Sequence, residues 1–146
     1  MGTLLLRATA VWALIALVES IHGTLRVLLF VSRVGELRSR QIGFVTGSLL
    51  ILAIAALTVR WLGARSRRDL VLVGLLWLIL MLAFELLVGR FAAGYSWDRI
   101  AADYDPRRGG LMAFGLALVA VAPLLAARFR GLPLDTPSVH SKERPR

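Results

Sequence analysis

Long stretches of this chain carry almost no charge over lengths that match a lipid bilayer, and no other feature narrows its fold so far. Residues 42–59 and 109–127 hold no ionisable side chain, and residues 70–89 hold only Glu85. A hydrocarbon core about 30 Å thick needs roughly 20 apolar residues at about 1.5 Å rise each. Inside it every backbone N–H and C=O must be satisfied within its own segment, so such stretches are helical. The competing reading, buried helices of a soluble domain, fails on cover. A chain of 146 residues has too little amphipathic structure left to wrap three helices that are apolar all round.

The first span is less uniform. Residues 8–18 are apolar, residues 19–26 are polar in places, and residues 27–31 are apolar again. Arg7 followed by an apolar run has the look of a signal peptide, yet no small-x-small cleavage site with a polar start follows Val18, so a retained helix is expected. The pattern therefore predicts an all-α integral membrane bundle of four transmembrane helices, over 8–31, 42–60, 70–89 and 109–127. Residues 1–130 form the membrane domain. Residues 131–146 form a polar tail that contains Pro133, Pro137, Pro145 and His140 and has no apolar period.

Between the third and fourth spans, Ser96 is placed to cap a short helix with Asp98 in its first turn. Trp97, Ile100 and Ala101 would form its apolar side, so a short helix along the outer interface is expected. Pro123, inside the fourth span, frees a carbonyl one turn earlier, near Val119, and predicts a bend of the final turn.

An even number of spans puts residues 1–7 and the tail on one side. That side holds ten basic residues against seven on the other (Arg26 lies within a span), counted from the sequence. The positive-inside rule then predicts a multi-pass protein of the cell inner membrane with N- and C-termini cytoplasmic. The formal charge of +9 sits at helix ends instead of on a recognition helix, which argues against nucleic acid. Membrane lipids, including anionic headgroups, are the expected counter-charge. A homo-oligomer or a membrane-protein partner is a further expectation. The chain has no cysteine, which excludes disulfides and thiolate chemistry.

Polar groups inside the spans point to function, because each is costly in lipid. At 100° per residue from Glu19, His22 falls at about 300°, Arg26 at about 340° and Arg33 at about 320°, one narrow stripe with Gly23 close by. This stripe is expected to face the bundle interior or a watery recess. Arg26 and Glu85 come out nearly level, roughly 9 to 10 Å outward of the midplane, so an Arg26–Glu85 ion pair is expected. Gly43 and Gly47 form a small-x-x-x-small face for close helix packing. Thr46 and Ser48 lie within hydrogen-bonding reach of the cluster.

Glu19, His22, Arg26 and Glu85 are the candidate substrate-binding residues. Carboxylates that exchange protons, an imidazole that titrates near neutrality and an arginine that holds an anion fit binding or transport of a proton-linked or anionic small molecule. One alternative is polar glue in a structural or accessory subunit of a larger complex. Another is an intramembrane enzyme using Glu/His acid-base chemistry, although Ser20 points about 100° away from Glu19 on the helix. Glu19-x-x-His22 has a metal-ligand spacing but lacks a second such motif, and Arg26 is a poor neighbour for a cation. Neither metal nor cofactor is expected.

Overall fold

The computed structural model describes residues 1–133. The chain is all-α: α1 Gly2–Val34, α2 Glu36–Leu62, α3 Arg67–Leu87, α4 Trp97–Tyr104 and α5 Met112–Phe129. One wide π-turn, Val88–Ala92, extends α3, and a 3-10 turn, Pro106–Arg108, separates α4 from α5. Among the described residues, four helices are long and apolar enough to cross a membrane: α1, α2, α3 with its π extension, and α5. Only 22–33% of the most apolar window of each is buried by the rest of the chain. Their outward sides carry Leu17, Leu49, Leu57 and Ile79, surfaces that only lipid covers favourably. The protein is a small multi-pass helical membrane protein.

The expected spans correspond to these four helices, but α1 begins six residues earlier and α2 six residues earlier than the apolar pattern alone predicts. Both extensions are polar or mixed in sequence, and continue because nothing there breaks the helical hydrogen-bond ladder. The polar tail expected beyond residue 130, with His140, lies from residue 134 onward outside the described residues.

Gly35 alone joins α1 to α2. It takes φ 80° and ψ 165°, a backbone state closed to side chains with a Cβ, and so ends one helix and starts the next within a residue. Contacts fix the pair as antiparallel. Arg7 reaches the Trp61 carbonyl, His22 meets Thr46, and Arg26 crosses Gly43. In contrast α1 and α3 run parallel, since Ala8 meets Trp77 and Trp12 meets Phe84. Each of α1 and α5 packs against both α2 and α3, so the consecutive helices α2 and α3 sit across the bundle's diagonal.

The core fills the half of the bundle that holds residues 1–7 and the turn between α2 and α3, termed its inner half, the opposite half being its outer half. Trp77 is fully buried and its indole Nε1 donates to the Ala8 carbonyl at 2.8 Å. Around it lie Ile15, Val59, Leu70, Val73 and Val119. Gly74 lets α3 meet α5 backbone to backbone, because a Cβ there would run into the Ala120 carbonyl. Ser66 starts α3 with a full capping box: its hydroxyl accepts from Asp69 N–H at 3.2 Å, and the Asp69 carboxylate accepts from Ser66 N–H at 3.1 Å. Ser66→Ala is therefore expected to cost about 1 kcal/mol, seen as a drop of a few degrees, about 3 °C, in the thermal midpoint in detergent.

Ser96 caps α4 as its sequence predicts, accepting from Arg99 N–H at 3.3 Å. Of the three residues expected on the apolar side of α4, Ile100 is buried, whereas Trp97 and Ala101 are exposed. The Arg90 guanidinium lies 5.8 Å from the Trp97 ring centre, a cation–π contact outside the protein core.

Candidate functional site

The polar side chains of the spans converge in the outer half of the bundle, where the large apolar core residues give out. Three residues of the α1 stripe, Glu19, His22 and Arg26, turn toward α2 or the bundle interior. Arg33, the fourth, is exposed. Two recesses overlap there, about 510 Å³ along the seam between α1 and α3 and about 640 Å³ in the centre of the bundle. Glu19, Arg26, Glu85 and Asp103 line both, and His22 lines the central one. Volumes of this size fall in the range of about 300–1,000 Å³ that small-molecule sites occupy.

Gly43 and Gly47 on α2 make room for this chemistry. A Cβ on Gly43 would collide with Arg26 Cδ, and one on Gly47 would lie 2.7 Å from Glu19 Oε2. The small-x-x-x-small face thus admits two charged side chains between helices as well as close packing. Gly43 and Gly47 are both buried, and Ser39, one turn outward from Gly43, is fully buried.

Arg26 does not pair with Glu85. Its guanidinium donates to Ser39 Oγ at 3.2 Å, and among the described residues no carboxylate lies within 4 Å of it. Glu85 instead accepts from the Tyr104 hydroxyl at 3.5 Å. Equal depth is necessary for the expected pair but not sufficient, since Arg26 lies along the α1–α2 interface while Glu85 faces α4. Burial, and then the neighbouring Glu85 carboxylate, push the Tyr104 phenol up to about 12, so it remains a donor at neutral pH.

His22 sits between two partners. Its Nε2 is 2.7 Å from Thr46 Oγ1, and its Nδ1 is 3.4 Å from Glu19 Oε2. The Thr46 hydroxyl also lies 2.9 Å from the Ile42 carbonyl, and which group donates in the His22–Thr46 contact follows the imidazole tautomer. Nδ1 faces the Glu19 carboxylate, and the contact is completed by a hydrogen on Nδ1, which one neutral tautomer and the imidazolium both carry. The other Glu19 oxygen, Oε1, is buried without a hydrogen-bond partner.

The outer lid of the site comes from α4 and the start of α2. Arg40 holds them together, donating to Glu36 at 2.8 Å and to Asp103 at 3.1 Å. Arg99 covers the Tyr95 ring at 4.4 Å. The π-turn brings this lid inward, with Gly89 close enough to Ile100 that a Cβ would touch it at 3.7 Å. Ser39, Arg40, Asp103 and Tyr104 belong to the site and were not singled out from the sequence. Glu36 and Arg40 have the i, i+4 spacing of a helical ion pair, a signal open to sequence reading; Arg40 to Asp103 and Glu85 to Tyr104 depend on how the helices pack.

Comparison of the chain with protein-family models, with curated proteins and with solved structures finds no match.

Proposed function

We propose that this protein binds an anionic small molecule in the outer recess, with Arg26 holding the anion and the Glu19–His22 pair linking binding to a proton. The observation that carries this reading is the state of Arg26. Its guanidinium is always charged, it lines both recesses, and its side-chain hydrogen bond goes to a neutral hydroxyl. A permanent charge at that depth calls for a counter-ion, and an anionic ligand supplies one. Glu19, His22, Arg26 and Glu85 remain the substrate-binding set, joined by Ser39 and Tyr104. The Glu19–His22 contact supports proton linkage because a doubly protonated imidazole donates to the Glu19 carboxylate and to Thr46 Oγ1 together.

Purified protein in an uncharged maltoside detergent tests the reading through thermal unfolding and calorimetry with short- and long-chain organic phosphates and carboxylates. Native protein is expected to bind at least one of them, and Arg26→Gln to bind it at least tenfold more weakly, a loss of about 1.4 kcal/mol or more. A native protein unaffected by every anion at millimolar concentration would sink the proposal.

The same reading places the recess on the external face of an inner membrane, with residues 1–7 and the tail in the cytoplasm. The ten-to-seven basic bias supports that orientation. The absence of cysteine makes it easy to check with single-cysteine variants in intact cells. An impermeant thiol reagent is expected to label Asp98→Cys, in the first turn of α4, and to spare Arg65→Cys, between α2 and α3; the reverse labelling would invert the topology.

A further inference from the structure

We infer that the anion arrives as the headgroup of a membrane amphiphile whose hydrocarbon chain lies in the seam between α1 and α3, an inference that rests on the anion-binding role proposed for Arg26. These helices are joined by the Trp77–Ala8 hydrogen bond in the inner half and, at the edge of the seam recess that Phe84 lines, by Trp12 set edge-on against Phe84, ring centres 6.2 Å apart. Outward of these contacts, no hydrogen bond or ion pair joins α1 to α3 among the described residues. A Cβ on Gly23 would meet nothing within 4 Å. The seam is thus open at the depth of the charged site.

Its rim is apolar and faces the region where lipid chains lie, with Val27 52%, Leu28 68% and Val88 41% exposed. Two hydroxyls stand on the α1 wall, and both are turned onto their own helix. Ser20 donates to the Ala16 carbonyl at 2.7 Å and Thr24 to the Ser20 carbonyl at 2.8 Å. Neither hydroxyl hydrogen is left for water, so the wall suits a hydrocarbon occupant better than a hydrated one. Because the seam recess shares Glu19, Arg26 and Glu85 with the central recess, a chain in the seam would deliver its headgroup to Arg26. A water-soluble anion has no use for the seam, since the central recess alone would admit it.

Three probes separate the possibilities on the full chain in uncharged maltoside: dodecyl phosphate, methyl phosphate, and dodecyl phosphate with a photoreactive diazirine at mid-chain. Gly23→Phe is the key variant. Its Cβ meets nothing within 4 Å, its ring extends into the recess, and it improves helix propensity at an interior helical position, so it is expected to fold. Dodecyl phosphate is expected to bind native protein and to weaken at least about tenfold in both Gly23→Phe and Arg26→Gln. The diazirine is expected to mark residues 20–28 and 84–89, and unlabelled dodecyl phosphate to compete that labelling away. Two results would overturn the inference and leave the anion site standing: Gly23→Phe binding dodecyl phosphate as tightly as native protein does, or labelling spread evenly around all four spans. Failure of both phosphates to bind native protein would remove the anion site itself and the inference with it.

Discussion

Replacing Gly74 by leucine is expected to destabilise the bundle by about 3 kcal/mol. A side chain at this position on α3 would run into the backbone carbonyl of Ala120 on α5. A carbonyl cannot step aside by changing rotamer, so the two helices would have to part along the seam that also holds Val73 and Val119. Overpacking a core costs about 1–3 kcal/mol. A backbone obstacle puts this case at the upper end, and about 3 kcal/mol corresponds to roughly 10 °C in thermal midpoint for a chain of this size. Thermal unfolding and size-exclusion chromatography in detergent read the effect directly. Gly115→Leu on α5 is the control, because a Cβ there meets nothing within 4 Å. A Gly74→Leu protein that elutes as one peak and melts with the native protein would contradict the α3–α5 contact.

Gly43→Ala is expected to do the opposite: to leave the bundle folded and empty the site. The new methyl would occupy the space of Arg26 Cδ, and an arginine side chain, unlike a backbone carbonyl, has other rotamers. Alanine also gains about 1 kcal/mol over glycine in a helix interior, which offsets part of the crowding. Arg26 should therefore leave Ser39, and anion binding should fall at least tenfold, the loss also expected for Arg26→Gln, with the thermal midpoint within about 3 °C of native. Gly47→Ala is the companion, expected to displace the Glu19 carboxylate and with it the Glu19–His22 contact. Native anion affinity in Gly43→Ala would show that Arg26 is not held for ligand binding. The contrast between the two glycines rests on what each one faces, a fixed backbone at Gly74 and a movable side chain at Gly43.

Both variants are conservative on paper, and sequence patterns alone rank them in the wrong order of interest. Gly43 and Gly47 stand out as a packing motif by spacing, whereas Gly74 lies in an apolar run without a partner small residue four positions away. The structure assigns the harder steric limit to Gly74. It gives Gly43 and Gly47 the added task of seating charged groups between α1 and α2.

Much of this protein was decided along the chain. Uncharged runs near the length of a bilayer crossing force helices, because lipid offers no partner to backbone amides. Ser66 and Ser96 mark helix starts through local hydrogen bonds, and the 3.6-residue repeat puts Glu19, His22 and Arg26 on one side of α1. Each of these depends on residues a few positions apart, so one sequence is enough to read it. Which side chain meets which partner across helices was decided only by tertiary structure. Glu85 and Arg26 share a depth, yet Glu85 bonds Tyr104 and Arg26 bonds Ser39. Depth along a helix follows from counting residues, whereas azimuth relative to neighbours follows from the order of helices around the bundle. Placing α1 between α2 and α3, with α4 folded over the outer end and tied by Arg40 to Asp103, is a property of packing that no local pattern encodes. The open seam beside Gly23 has the same origin, a space left between two parallel helices outward of the Trp12–Phe84 contact.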